Sequence, residues 1–283
     1  MNVYGTIIYY IIEKRVFGMK TGQWKKRRAP RALRWLLLTA ALVAVLYFPV
    51  SAQIRNAMVV HRVDTPERVV ALTFDDGPHP LYTAGLLDVL DHYHVRGTFF
   101  MIGRQVDRYP GIARAVALRG HEIGNHTYTH PRGMWKISES KAEDEIRRCE
   151  TSIRRATGRH TTLFRAPRGS FGNRTMLASR DLGYTTVHWS LCADKRIIRT
   201  PGGMARRVAG QARPGDIILV HDGRTAGRWR DVVATALIIE NLRARGFRFV
   251  TVSQLLGRGG YSFRDRILSK FRPHYRQPPH PGV

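Results

Sequence analysis

From residue 69 onward the chain alternates short apolar runs with longer amphipathic stretches, and this order restricts its fold more than any other feature of the 283 residues. Apolar, strand-like runs fall at 69–74, 98–102, 121–125, 163–166, 184–191, 216–220 and 247–252. Between them, 105–119, 137–157, 175–181, 204–212 and 232–245 carry the spacing of amphipathic helices. Gly120, Gly158, Gly183 and Gly246 follow helical stretches, where a left-handed cap is wanted. The alternation predicts an α/β protein with a parallel sheet, and is compatible with an open sheet or a barrel.

The first apolar run ends in Thr73-Phe74-Asp75-Asp76-Gly77-Pro78. Two adjacent carboxylates at a buried strand exit cannot both ionise cheaply without a cation, and a divalent metal is the economical one. Gly77 and Pro78 allow a sharp turn beside it. Matching donors stand about fifty residues on in Gly124-Asn125-His126-Thr127-Tyr128-Thr129-His130, whose four-residue spacing predicts both imidazoles on one face of a helical turn. Two histidines and one carboxylate leave coordination positions open, as a catalytic site requires. Taken singly, Asp-Asp-Gly reads as a turn and the histidine pair as two surface residues. Two further strand exits shift the balance: Phe164-Arg165-Ala166-Pro167-Arg168-Gly169, and Ile217-Ile218-Leu219-Val220-His221-Asp222.

With these four segments the chain closely resembles the polysaccharide deacetylase family, the NodB-homology carbohydrate esterases, whose motifs T-F-D-D-G-P, H-(S/T)-x-x-H, R-x-P-x-G and L-x-H occur here in that order between Thr73 and His221. The resemblance implies a distorted, incomplete (β/α) barrel with the motifs at the carboxyl ends of its strands. It further implies Asp76, His126 and His130 as metal ligands, Asp75 as general base towards water, Arg165 as the group that orients Asp75 and holds it ionised, and His221 as the acid that protonates the departing amine. Pro167, Gly169 and Trp189 fall at positions that contact substrate. The cofactor expected is a divalent metal ion, zinc favoured, with cobalt, nickel or manganese compatible. The expected activity is hydrolysis of N-acetyl groups from amino sugars of an envelope or extracellular polysaccharide, either peptidoglycan or chitin-like N-acetylglucosamine. An O-acetyl esterase on a polysaccharide such as xylan, and an inactive glycan-binding domain, are the alternatives.

One motif departs from the family. Where W-S-x-D-x-x-D-W is usual, this chain reads Trp189-Ser190-Leu191-Cys192-Ala193-Asp194-Lys195-Arg196. Cys192 replaces the first aspartate, and no tryptophan closes the motif. Asp194, after a one-residue shift, is the candidate for the carboxylate that tunes His221. Cys192 is expected to be a small buried packing residue. The other cysteine, Cys149, lies in a polar helical segment, so both thiols are expected to be reduced.

Ahead of the catalytic region, Lys25-Lys26-Arg27-Arg28 precedes an apolar stretch at 35–50, the pattern of a signal-anchor or signal peptide, and Val50-Ser51-Ala52 has the spacing of a cleavage site. Met19 offers an alternative start. The expected organisation is a basic segment plus anchor at 1–52, a linker at 53–67, the catalytic domain at 68–256 and a basic tail at 257–283. The catalytic domain then faces the periplasm or exterior, held at a bacterial-type inner membrane or secreted after cleavage near Ala52. A formal charge of +26 is spread along the whole chain, without any nucleic-acid-binding motif. It points to an anionic envelope surface rather than nucleic acid, and the resemblance implies an acetylated polysaccharide as the other partner.

Overall fold

The computed structural model describes residues 59–258 except 171, 195–197 and 199. The expected signal-anchor segment and nearly all of the basic tail lie outside the described residues. Strand β2 (Val69–Asp75) is the hub: all seven residues are buried, and β-branched Val69, Val70 and Thr73 suit an extended backbone covered on both faces. Strands β1 (Val59–Val60), β3 (Thr98–Met101), β4 (Glu122–Asn125), β5 (Leu163–Phe164), β6 (Thr185–Val187), β7 (Leu191–Cys192), β8 (Ile217–His221) and β9 (Arg248–Val250) complete the sheet. Its order is β1-β6-β5-β4-β3-β2-β8-β7, with β9 on the first residues of β2, and the strands pair in parallel.

This register places the chemistry. Asp75 pairs with His221 on β8 and with Phe100 on β3, Met101 pairs with Asn125 on β4, and Asn125 pairs with Phe164 on β5. Asp75, His221, His126 and Arg165 therefore leave the sheet at one rim, the carboxyl end of parallel strands, where α/β folds build their sites.

Residues 188–190 join β6, second in the order, to β7 at its far end. Three residues reach about 10 Å at most, so the sheet has to curl until its ends meet. His188 N donates to Val60 O at 2.8 Å and Ser190 N to Ile217 O at 3.1 Å, lacing one edge to the other. The result is the curled, incomplete barrel that the family resemblance implied. Along β2 the faces alternate: Val70, Leu72 and Phe74 point to the helices, while Val69 and Ala71 join the interior cluster with Phe100, Leu163, Val187 and Ile217.

Helices α1 (Tyr82–His92), α2 (Gly103–Arg108), α3 (Pro110–Leu118), α4 (Glu139–Thr157), α5 (Asn173–Asp181), α6 (Pro201–Gln211), α7 (Trp229–Ala244) and α8 (Val252–Leu256) return the chain between strands. Helix α4 starts at Ser138, whose hydroxyl accepts from Lys141 N, and stops at Gly158 with φ 69°. Gly120, Gly183 and Gly246 also take the expected left-handed angles. Several expectations are corrected. The stretch 105–119 is two helices, because Pro110 lacks an N–H and pushes Tyr109 out of helical geometry (φ −131°, ψ 55°). The run 184–191 divides at the turn that crosses from β6 to β7, and 247–252 ends as the start of α8, capped by Thr251 and Gln254. Residues 59–67 are not a free linker: Val59 and Val60 form β1, and Val63 is buried.

Candidate active site

Asp75 closes β2, and Asp76 turns the chain away at φ 81°, an angle uncommon for a non-glycine residue. The next residue must be glycine, since a Cβ at Gly77 would lie 2.2 Å from Asp222 Oδ2. A Cβ at Gly223 would lie 2.1 Å from Asp76 O, so the loops after β2 and β8 meet backbone to side chain and backbone to backbone.

His126 follows β4 directly. Its Nδ1 lies 2.8 Å from the carbonyl oxygen of Arg165, a contact that requires an N–H on Nδ1 and leaves Nε2 as a lone pair. That lone pair faces Asp76 Oδ1 at 3.7 Å and Asp75 Oδ2 at 3.8 Å. His130 Nε2 lies 3.1 Å from the same Asp76 oxygen. The two histidines are not on a helical turn as expected. Thr127 and His130 have φ of 67° and 56°, and the loop is held by side chains instead: Thr127 N donates to Asn125 Oδ1, and Thr129 donates through N and Oγ1 to Glu145. Their imidazoles still converge, with ring centroids 5.0 Å apart.

Donor atoms of Asp76, His126 and His130 all lie within 4.8 Å of one another, and all three residues are buried. Asp76 Oδ1 has no hydrogen-bond partner of proper geometry among the described residues. A buried orphan carboxylate oxygen facing an imidazole lone pair is the environment a divalent cation satisfies. Burial pushes the Asp76 carboxyl up, but the imidazole of His130, with His126 and His221, outweighs it and holds the group below the usual carboxylate range. Burial above all, opposed by Asp75 and Asp76, pushes His126 down and keeps it neutral, as a ligand must be.

Asp75 is held by Arg165, whose Nη1 donates to Oδ1 at 2.7 Å. The guanidinium also donates to Thr73 Oγ1 at 2.9 Å, His188 O at 2.9 Å and Val187 O at 3.3 Å, and lies over the Phe100 ring at 4.0 Å. A fully buried arginine so tied cannot follow a moving partner, and Asp75 Oδ2 is left pointing at the pocket.

Across the pocket, His221 Nδ1 lies 3.4 Å from Asp194 Oδ2, a close ion pair whose geometry falls short of a hydrogen bond. Burial pushes the imidazole down, and Asp194 more than offsets it, leaving His221 above its ordinary value. The structure thus brings Asp194 to His221 despite the shifted motif. It adds Arg228, which sequence reasoning missed: Nη1 donates to Asp194 Oδ2 at 2.8 Å and contacts Asp231 at 3.3 Å, while Asp231 Oδ1 accepts from His221 N at 3.3 Å. Cys192 is half-buried and more than packing, since its thiol donates to Asp194 O and Oδ1, both at 3.1 Å. Burial, reinforced by Asp194, pushes that thiol far up, so it stays a donor.

Trp189 lines the pocket as expected, stacked on His188 at 3.7 Å. Pro167 and Gly169 do not line it: Pro167 is buried, and Gly169 (φ 63°) packs so closely that a Cβ would meet His188 Nε2 at 2.2 Å. Arg168 between them reaches the pocket instead, together with Arg224 and Arg228. Arg224 Nη1 lies 3.0 Å from His130 Nε2 and 3.8 Å from Asp76 Oδ1.

Known proteins resemble this chain. A family model described as polysaccharide deacetylase matches residues 62–187. A peptidoglycan-N-acetylglucosamine deacetylase of Bacillus cereus is 40% identical over 200 residues, covering 70% of this chain and 92% of the relative. A chitooligosaccharide deacetylase of Bradyrhizobium sp. is 36% identical over 204 residues, covering 66% and 90%. Among solved structures, the Bc1960 peptidoglycan N-acetylglucosamine deacetylase in complex with an N-oxidanyl-benzamide superposes with a TM-score of 0.67 at 30% identity, covering 72% of this chain and 95% of that one.

Proposed function

Because this chain belongs to the polysaccharide deacetylase family and is a hydrolase, we propose that it removes N-acetyl groups from amino sugars of an envelope or extracellular polysaccharide, with N-acetylglucosamine units of peptidoglycan or a chitin-like oligomer as substrate. The observation that carries this reading is the convergence on one pocket of a base clamped by arginine, a three-residue ligand set and a histidine raised by a carboxylate. The names of relatives 40% and 36% identical support the substrate class.

Deacetylases of this family are metal-dependent, and Asp76, His126 and His130 are the residues that would hold the ion here. Zinc suits two imidazoles and a carboxylate with open positions, and cobalt, nickel or manganese are compatible. A divalent ion supplies polarisation of the acetamide carbonyl and acidification of water. The protein's own groups do the rest. Asp75 Oδ2 takes the proton from the attacking water, Arg165 keeps that carboxylate ionised and fixed, and His221 gives its proton to the departing amine. Asp194, braced by Arg228, keeps the imidazolium available. Trp189 offers an apolar wall to the sugar ring.

An extracytoplasmic location is part of the same reading, supported by the basic run at 25–28 ahead of the apolar stretch at 35–50. Acetate release from N-acetylglucosamine oligomers, peptidoglycan and acetylated xylan, with metal content assayed on the same sample, tests the proposal. Release from the amino-sugar substrates supports it, faster release from xylan would favour the esterase alternative, and full metal occupancy with no release would revive the glycan-binding one.

A further inference from the structure

Among the described residues, six non-glycine positions have left-handed backbone angles: Asp76, His94, Thr127, His130, Arg168 and Arg224. Such angles are costly for branched or long side chains and persist where the surroundings impose them. Asp76, Thr127 and His130 belong to the ligand set and its loop. That leaves His94, which does not line the pocket, and two arginines that do, Arg168 (φ 60°) and Arg224 (φ 65°), which the proton transfers do not use.

Arg168 is held on both sides. Pro167 is buried, Gly169 continues the left-handed turn, and Gly169 packs closely against His188 and Trp189. The side chain is exposed at the pocket and makes no hydrogen bond or ion pair among the described residues. Arg224 follows Gly223, whose backbone is pressed against Asp76; its Nη1 lies 3.0 Å from His130 Nε2, and its one acidic neighbour among the described residues is Asp76 at 3.8 Å. Once Asp76 serves as a ligand, Arg224 is left without an acidic partner. Arg228 differs from both, since Asp194 and Asp231 already neutralise it.

A neutral acetylated sugar chain offers hydroxyls, amides and ring faces. Its hydroxyls and carbonyls can accept from guanidinium N–H groups, but it leaves the positive charge of two arginines held on left-handed backbone beside the reacting centre without an anionic partner. A carboxylate does, because guanidinium forks match its geometry and charge. We propose that Arg168 and Arg224 bind a carboxylate carried by a sugar adjoining the acetylated amino sugar, so that the preferred substrate is an acidic amino-sugar polymer. This assignment rests on the deacetylase reading above and narrows its substrate class. The strongly basic chain would draw such a polymer in, and the two arginines would set its register.

The test compares neutral N-acetylglucosamine oligomers with oligomers of equal length in which every second sugar carries a free carboxylate, using the full chain. The native protein should favour the acidic series by roughly tenfold or more in kcat/KM, chiefly through KM, and the preference should shrink as salt rises. Arg168→Asn tolerates the left-handed backbone while removing the charge, and Arg224→Asn does the same on its loop. Each should move the acidic-to-neutral ratio towards one. Binding of both series is measured in parallel on Asp75→Asn. No acetate from either series would sink the deacetylase reading, while the binding ratio would still decide the arginine assignment. A native ratio near one, or a ratio unmoved in both arginine variants, would overturn the assignment.

Discussion

Asp75 and Asp76 are neighbours in the chain, yet the fold gives them opposite partners. Asp75 faces a guanidinium tied at four points, and Asp76 faces two imidazoles. Asp75→Asn should therefore abolish acetate release while metal analysis finds the ion retained, whereas His126→Ala should lose the ion itself; equal metal loss in both would contradict the division. Arg165→Met strands a buried carboxylate and should cost about 3–5 kcal/mol in denaturant unfolding. The acid side is tuned by charge. His221 must be protonated to act, and Asp194 raises it, so activity is lost only as pH climbs past that raised value. Asp194→Asn should shift the alkaline limb of the pH–rate profile to lower pH, and a limb that stays in place would remove Asp194 from the role. The stability sign agrees: a histidine raised on folding contributes below its unfolded value near 6.5 and loses that contribution as pH rises through the folded one. That the candidate ligand and base residues would meet at one site was legible because their types sit at strand exits in a recognisable order. Arg228 was not, since it stands 34 residues from Asp194 on another element and has no spacing to betray it.

At the scale of elements, the positions of most strands were readable from apolar runs because parallel strands are buried on both faces, whereas their order in the sheet was not. What periodicity hid was set by side chains acting on backbone. Four-residue histidine spacing normally implies a helix, but Asn125 and Glu145 capture the amides of the 126–130 loop and bend it otherwise. Helix α1 was overlooked although Thr83, Leu86, Leu87 and Leu90 form its buried face, because it starts just past the Asp-Asp-Gly-Pro turn with no side-chain cap at Leu81. Strand β1 is two residues long and carries no period at all. Helix ends, by contrast, were marked by glycine. A Cβ at Gly158 would meet nothing within 4 Å, so Gly158→Ala isolates the left-handed angle of φ 69°. It should cost about 1 kcal/mol and lower Tm by roughly 2–4 °C for a domain of this size, with α4 helicity otherwise kept; a neutral result would mean the cap relaxes.

Across the whole molecule, the ligand set ties the end of β2 to the loop after β4, and Arg165 of the β5 exit grips Asp75. An ion bound to the folded state alone stabilises it by mass action. Chelation should therefore lower Tm by roughly 5 °C or more, restored on adding the metal back, and an unchanged melting curve after verified metal loss would show that the three residues do not hold it. The link at 188–190 has a consequence of another kind. Trp189 sits on the strut that laces the two ends of the sheet, so drift at that position risks the architecture itself. Arg168 and Arg224 stand just past the exits of β5 and β8, outside any strand. A lineage altering its diet of polymers has a cheap route through those two positions and an expensive one through the tryptophan. Variation among descendants of this fold should collect accordingly.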